Sequence, residues 1–290
     1  MNNSSINNDT NETFGFTDSN IIYITFGSFS FVLNLLTFCV ILLHKDMRDN
    51  YSLLISSLSL ADAINGVFFM CVFTTYSLTR VNMITFEILD SFIYFCALSV
   101  QWHTVTLSVE RLIAVQYPLT YHTIMTPLKR NILLCFLYVG AAASFVLFGL
   151  LAYFKLHQMK YILRYAVLIN VILIIFINTT IYVQLWRVAR KQRKQIAAQE
   201  THNKTTNRIF SKATISVILI VVIYIILWLP FLVTTIAVIF YPLLPDFPYD
   251  ITQYIDSLWL LNSIINCVVY ALLNKNFRLK VKSLFCRKGK

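Results

Sequence analysis

The sequence predicts an all-α membrane fold: a bundle of seven transmembrane helices, followed by a short amphipathic helix at the membrane interface. Of the 290 residues, 58% are hydrophobic and 13% are charged, whereas a soluble domain carries about 25% charged residues. The apolar residues fall in seven runs, and each run reaches the roughly 20 residues that a helix needs to cross the hydrocarbon core. The alternating pattern of a membrane barrel is absent. Lipid is therefore the expected solvent for most of the chain.

Each apolar run predicts one transmembrane helix. The runs are 21–43, 51–78, 84–115, 131–154, 161–186, 213–241 and 251–273. Pro230 in the sixth run predicts a kink, which neighbouring helices can accommodate. The predicted regions are an extracellular tail at 1–20, a seven-helix domain at 21–273 and a C-terminal segment at 274–290.

The C-terminal segment has the pattern of an interfacial helix. An apolar stripe among basic residues favours such a helix over 274–286. The stripe consists of Phe277, Val281, Leu284 and Phe285. Cys286 near its end is a candidate for palmitoylation, with a free thiol as the alternative. The other five cysteines lie inside apolar runs, so we expect no extracellular disulfide.

Two signals predict the same orientation in the plasma membrane. The tail has no Lys or Arg and offers four N-x-Ser/Thr acceptor sites for glycosylation, at Asn2, Asn3, Asn8 and Asn11. On the opposite side of the predicted membrane lie 20 of the 24 Lys and Arg residues. The positive-inside rule therefore places the N-terminus outside and the C-terminus inside. The basic clusters have no interleaved aromatics, so we expect contacts with lipid headgroups and none with nucleic acid.

Polar residues inside the runs form an ordered series. A buried polar group in lipid is costly, so each marks a candidate functional position. The series consists of Asn34, Leu58-Ser59-Leu60-Ala61-Asp62, Glu110-Arg111-Leu112 before Tyr117-Pro118, Leu227-Trp228-Leu229-Pro230, and Asn262 to Tyr270. In this order and on these runs, it resembles the rhodopsin-like (class A) G-protein-coupled receptors over almost the whole chain.

The sequence departs from the usual pattern of that family at several positions. Leu112 and Cys267 stand where a Tyr and a Pro are usual, and Phe86 replaces a disulfide cysteine. The absence of this cysteine, together with a short second outer loop free of cysteine, is similar to the melanocortin and cannabinoid branch. The run 181–192 is similar to adenosine receptors.

The resemblance implies a switch at the inner end of the third helix. Arg111 would pair with Glu110 at rest and reach a G protein when the helices part. Tyr182 and Tyr270, with Asn266, would complete the active arrangement. The simpler alternatives are an arginine that reaches the lipid headgroups and tyrosines of the interfacial belt.

A second polar group lies deeper in the predicted bundle. Asp62, Asn262, Ser263 and Asn266 are the candidate ligands of a sodium ion. A buried carboxylate needs a counter-ion, hydrogen bonds or a proton. A protonated Asp62 in a hydrogen-bond network is an equal alternative, because Val100 stands where the third helix often supplies a hydroxyl.

The candidate ligand cavity lies on the outer side of these groups. Its predicted residues are Asp90, Tyr94, Trp228, Phe231, Asp256 and Trp259. The two acidic residues favour a cationic amine or peptide, although Ile93 at the usual aminergic position disfavours a typical monoamine. Alternatively, either aspartate pairs with Arg164 or Lys160 and closes the cavity.

The sequence favours a receptor that binds an extracellular ligand and activates a heterotrimeric G protein. A seven-helix protein that does not couple is one alternative, and a transporter is another. A retinal-binding light sensor is excluded because 251–273 contains no Lys. We expect no enzyme and no cofactor other than sodium, since His103 and His157 form no catalytic cluster.

Overall fold

The computed structural model describes residues 18–78, 83–154, 157–199, 223–234, 236–237 and 249–285, and these are almost entirely helical. The helices are α1 (Asp18–Leu43), α2 (Asn50–Leu78), α3 (Met83–Gln116), α4 (Tyr121–Ile124), α5 (Pro127–Tyr153), α6 (His157–Gln199), α7 (Ile223–Thr234), α8 (Tyr249–Leu273) and α9 (Lys275–Phe285). A short 3-10 helix, Lys45–Met47, joins α1 to α2. No strand occurs in these ranges.

The helices lie on the predicted runs, and the largest differences at their ends, in α5 and α6, have local causes. α5 begins at Pro127, four residues before the predicted start. Proline is favoured in the first helical turn, and the Thr126 hydroxyl accepts a hydrogen bond from the Lys129 N–H at 3.3 Å. α6 continues beyond residue 186 to Gln199 because the basic run there consists of good helix formers. Of the sixth predicted run, the structure describes α7 and residues 236–237.

Four of the described helices, α1, α2, α5 and α6, are each long and apolar enough to cross a membrane. α8 qualifies only together with α9, and the two are bent by 100° at Asn274. The Asn274 side chain accepts a hydrogen bond from the Phe277 N–H at 3.0 Å, which caps the new helix. α9 therefore turns away from the axis of α8, as expected of an interfacial helix that follows a membrane span.

α3 is long but more polar, and its position in the bundle explains why. It packs against α2, α5 and α6, and its residues from Ser99 to Glu110 are mostly buried. A helix surrounded by other helices can carry polar groups that lipid would exclude. α5, by contrast, carries exposed apolar side chains on its outer face, which are Phe136, Val139 and Val146.

α1 and α2 approach closely at a pair of glycines. A Cβ at Gly27 would lie 2.8 Å from the Gly66 carbonyl oxygen, and one at Gly66 would lie 2.6 Å from the Gly27 oxygen. Small residues at a crossing let two membrane helices come into backbone contact. α1 also packs against α8, which brings the two ends of the helical domain together.

α9 is fastened to the end of the bundle by apolar packing and one ion pair. Phe277 is buried against Tyr270, with ring centroids 5.1 Å apart. Lys280 Nζ lies 3.1 Å from Asp46 Oδ2 in the α1–α2 connection. The hydrogen bond from Lys280 lowers the pKa of Asp46, so the carboxylate stays charged at neutral pH.

Candidate functional site

Glu110 and Arg111 lie near the C-terminal end of α3. Glu110 is fully buried, whereas the Arg111 side chain is 33% exposed. Arg111 Nε lies 2.9 Å from Glu110 Oε2, but its N–H does not make an aligned hydrogen bond to that oxygen. The contact is therefore an ion pair held by charge, and its partially exposed guanidinium can exchange one partner for another.

Two tyrosines that the sequence reasoning missed complete this pair. The Tyr121 hydroxyl donates to Glu110 Oε1 at 2.5 Å, and the Arg111 guanidinium carbon lies 3.1 Å from the centre of the Tyr51 ring. Burial and the neighbouring Glu110 carboxylate raise the pKa of Tyr121, so its hydroxyl remains a donor at neutral pH. Neither partner has a sequence signal, because both tyrosines resemble ordinary residues of the interfacial belt.

The other predicted switch residues have partners outside the ion pair. The Tyr182 hydroxyl shares a hydrogen bond of 2.8 Å with Ser108 Oγ. The Tyr270 hydroxyl donates to Ser52 Oγ at 3.2 Å. Asn266 Nδ2 lies 3.5 Å from Asp62 Oδ2. Tyr182 and Tyr270 are thus held near the same end of the bundle as Arg111 by other contacts.

Asp62 is the centre of the second predicted group. Its side chain is fully buried in α2. Ser263 on α8 donates to Asp62 Oδ1 at 2.5 Å, and Asn266 approaches the other carboxylate oxygen. Asn262 is buried one turn from Asn266, and no bond joins it to Asp62 among the described residues. Val100 is buried in an apolar cluster with Leu58 and Ala61.

The residues present partly fit a sodium ion. The Asp62 carboxylate and the Ser263 hydroxyl are hard oxygen ligands on facing helices, and the Asn266 amide can present its oxygen after rotation. Val100 supplies no oxygen from α3. The same hydrogen bonds equally suit the alternative of Asp62 in a hydrogen-bond network.

Cys267, the residue that replaces a proline of the family pattern, has a specific partner. Its thiol lies 2.7 Å from Asn34 Oδ1. Asn34 Nδ2 donates to the carbonyl oxygens of Ser30, at 2.9 Å, and Ser263, at 3.3 Å. Since Cys267 keeps its backbone N–H, α8 runs through this point as one helix. The asparagine therefore joins α1 to α8 next to Asp62.

Three of the predicted cavity residues form an aromatic layer. Trp228, Phe231 and Trp259 lie together, with centroids 5.6 Å apart for Trp228–Phe231 and 6.2 Å for Trp228–Trp259. Phe69 on α2 extends the layer, because its ring is 5.2 Å from Trp259. The two indoles are buried. Such a layer forms an apolar floor on which a ligand can rest.

A polar network joins α2, α3 and α5. His103 Nδ1 lies 2.7 Å from the Ser99 carbonyl oxygen, which only accepts, so this nitrogen carries the proton. In the neutral ring, Nε2 then accepts from Ser57 Oγ at 3.1 Å, and Ser57 Oγ lies 2.8 Å from the Tyr138 hydroxyl. His103 is thus a buried packing residue. It is part of a fully bonded interhelical network.

Several predicted sites lie outside the described part of the structure. They are the side chains of Asp90, Tyr94 and Asp256, the glycosylation sites Asn2, Asn3, Asn8 and Asn11, and Cys286. Arg164 and Lys160, the alternative partners of the two aspartates, belong to the same group. For these positions the sequence-based predictions stand as predictions.

Comparison with known proteins identifies the family. The family described as "7 transmembrane receptor (rhodopsin family)" matches residues 33–270. Melanocortin receptor 4 of Danio rerio is 26% identical over 281 residues, which cover 91% of this chain and 83% of that receptor. Melanocortin receptor 5 of Rattus norvegicus is 24% identical over 281 residues (92% and 84%), and that of Homo sapiens 20% over 283 residues (92% and 84%).

These matches confirm the predicted seven-helix membrane bundle and the predicted class A resemblance. They also confirm that this is a receptor family and not an enzyme family. With the apolar helices described above, they support a multi-pass protein of the plasma membrane. The chain belongs to the rhodopsin family of seven-transmembrane, G-protein-coupled receptors.

Proposed function

We propose that this receptor binds an extracellular ligand and activates a heterotrimeric G protein through release of Arg111 from Glu110. The ion pair at the end of α3 carries the proposal, because its arginine is partly exposed while its carboxylate is buried. The N-terminus lies outside the cell and the Arg111 end of the bundle faces the cytoplasm, as the distribution of Lys and Arg favours.

The proposed step is an exchange of partners. When α7 moves away from α3, the Arg111 guanidinium leaves Glu110 and contacts the G protein. Tyr182 and Tyr270 leave Ser108 and Ser52 and support the extended arginine. The Tyr121 hydroxyl stays on the Glu110 carboxylate, so this buried group keeps a hydrogen bond after the arginine has gone.

The Arg111→Ala variant tests the switch. We expect it to abolish nucleotide exchange on the G protein while its amount at the cell surface stays normal, since Arg111 is not part of the buried core. Exchange is measured in membranes with purified G proteins of each class. Lys129→Ala, which removes an exposed cation near the same end, is the matched control and should keep full exchange. Normal exchange by Arg111→Ala would refute the switch.

A seven-helix protein that does not couple is the alternative function. Leu112 and Cys267, which depart from the family pattern beside the switch and in α8, favour it. The same assay separates the two functions. Exchange above that of membranes without receptor, for any G protein class, supports coupling, and its absence with ligand bound supports the alternative.

For the ligand, we propose a cationic amine or peptide that enters above the aromatic layer of Trp228, Phe231 and Trp259. The acidic residues Asp90 and Asp256 of the sequence pattern would bind its positive charge. The relatives reported above are melanocortin receptors by name, so a melanocortin is the first ligand to test.

The Asp256→Asn variant tests the charge. We expect it to weaken a cationic agonist by about tenfold or more, because the ion pair is lost, and to leave a neutral agonist nearly unchanged. Affinities are measured by competition in membranes. Asp18→Asn at the start of α1 is the control. Equal losses for the two kinds of agonist would contradict the proposed role of Asp256.

A further inference from the structure

Three polar side chains with unused hydrogen-bonding atoms are buried between α3, α6 and α7. Gln101 is 2% exposed, Asn178 1% and Tyr224 3%. Among the residues that the structure describes, Gln101 Oε1, both amide atoms of Asn178 and the Tyr224 hydroxyl have no hydrogen-bond partner. None of them belongs to the ion pair or to the Asp62 group.

The three side chains border one buried cluster and form with it a polar layer more than one helical turn deep. Tyr224 packs in the same buried cluster as Val105 of α3 and Ile174 of α6. Gln101 lies one helical turn from Val105, and Asn178 lies one turn from Ile174, so each shares a helix face with a member of the cluster. Polar groups from three helices therefore border the same apolar contact.

Neighbouring contacts mark the two ends of this layer. Trp228 lies one turn from Tyr224 on α7, with ring centroids 5.8 Å apart. On the other side, Ser108 and Tyr182 join α3 to α6 at 2.8 Å. Tyr182 lies one turn beyond Asn178 on the same helix, α6. The layer thus extends from the aromatic floor to the Ser108–Tyr182 contact.

Buried amide and hydroxyl groups in proteins are almost always bonded, either to protein or to ordered water. Four unused polar atoms on three helices cannot remain dry without a large loss of stability. Water fits their chemistry, because it can donate to Gln101 Oε1 and Asn178 Oδ1, accept from Asn178 Nδ2, and do either with the Tyr224 hydroxyl. Such a molecule typically needs two to four polar partners, which this layer supplies.

We infer that Gln101, Asn178 and Tyr224 form a binding site for internal water between α3, α6 and α7. The water bridges the three helices in place of direct contacts between their side chains. The site adjoins the Ser108–Tyr182 contact, and it does not depend on coupling to a G protein.

The thermal midpoint of the full-length receptor in nanodiscs tests the inference. We expect Tyr224→Phe and Asn178→Leu each to lower the midpoint by about 2–5 °C, because each leaves the water and the remaining groups with one partner fewer. The double variant should lose clearly less than the sum, since the two residues share the same water. Tyr165→Phe and Thr180→Val, at exposed positions of α6, are the matched controls and should change nothing.

A rise of the midpoint in Tyr224→Phe would overturn the inference, because removal of an unpartnered hydroxyl from a dry site is stabilising. Strictly additive effects would overturn it as well. A density map that resolves ordered water provides the direct measurement. We expect a peak within about 3.2 Å of both the Tyr224 hydroxyl and the Asn178 amide, and direct contact between these side chains without such a peak would refute the site.

Discussion

At the scale of single residues, the switch depends on how the buried Glu110 carboxylate is compensated. Arg111 supplies one partner through the ion pair and Tyr121 supplies another through its hydroxyl. Loss of all partners from a buried charge is far more costly than loss of one. Tyr121 therefore lowers the free energy that is needed to release Arg111.

Tyr121→Phe should accordingly lower nucleotide exchange by about tenfold, because release of Arg111 would leave Glu110 unpaired. The measurement is exchange on a G protein at matched surface expression. Tyr117→Phe, at a half-exposed tyrosine of the same α3–α5 connection, is the control. In a Glu110→Gln background the Tyr121→Phe change should have little effect, and an undiminished effect there would contradict this role.

Some of these residues could be predicted from the sequence, and others could not. Glu110, Arg111 and Asp62 stand out in the sequence as polar groups inside apolar runs, and the structure buries Glu110 and Asp62 completely. Tyr51 and Tyr121 were missed, since a tyrosine at a helix end is typical of any membrane protein. Their roles depend on which helix faces them, and hydropathy carries no such information.

At the scale of helices, the contact of α1 with α2 depends on the absence of side chains. The added Cβ of an alanine at Gly66 would lie 2.6 Å from one backbone oxygen and 2.8 Å from the Phe31 backbone nitrogen. Backbone atoms cannot move aside individually, so the two helices would have to separate.

Gly66→Ala should therefore destabilise the receptor by about 1–3 kcal/mol, as overpacking usually does. The readout is the thermal midpoint in nanodiscs together with the amount of receptor at the cell surface. Gly140→Ala on α5 is a matched control, because nothing lies within 4 Å of its added Cβ. It should stabilise slightly through helix propensity. Equal midpoints for the two variants would contradict the close crossing.

Helix positions were largely predictable, and the differences have local causes. The start of α5 depends on Thr126 and Pro127, a cap signal that can be read from the sequence. The bend between α8 and α9 likewise follows from Asn274 as a cap and from the amphipathic pattern after it. The network of Ser57, His103 and Tyr138 was not predictable, because its members come from three separate helices.

In the bundle as a whole, Asp62 connects two helices that are far apart in the sequence, α2 and α8. Its carboxylate on α2 bonds to Ser263 on α8, 201 residues away in the sequence. A cation at this point would neutralise the carboxylate and hold α2, α8 and α1 in one packing. We therefore propose that sodium, if it binds here, stabilises the entire bundle.

The thermal midpoint should then rise by about 2–4 °C when sodium chloride replaces choline chloride at equal ionic strength. Asp62→Asn, which removes the charge but keeps the shape, should abolish the difference between the salts. Asp49→Asn, at an exposed position between α1 and α2, serves as the control. If the two salts give equal midpoints for the wild type, Asp62 is held by its hydrogen bonds and binds no sodium.

The seven-helix membrane bundle and its amphipathic C-terminal helix are predictable from local stretches of the sequence. The thickness of the hydrocarbon core determines how long a spanning helix must be, and the free-energy cost of burying charge determines how apolar it must be. Both properties can be read from each segment of the sequence alone. Which polar groups contact one another depends on how the helices pack. Cys267 bonds to Asn34 across 233 residues, and Tyr121 reaches Glu110 through a loop. Such contacts depend on the rotation of each helix about its own axis and on its neighbours, which packing of the whole bundle sets.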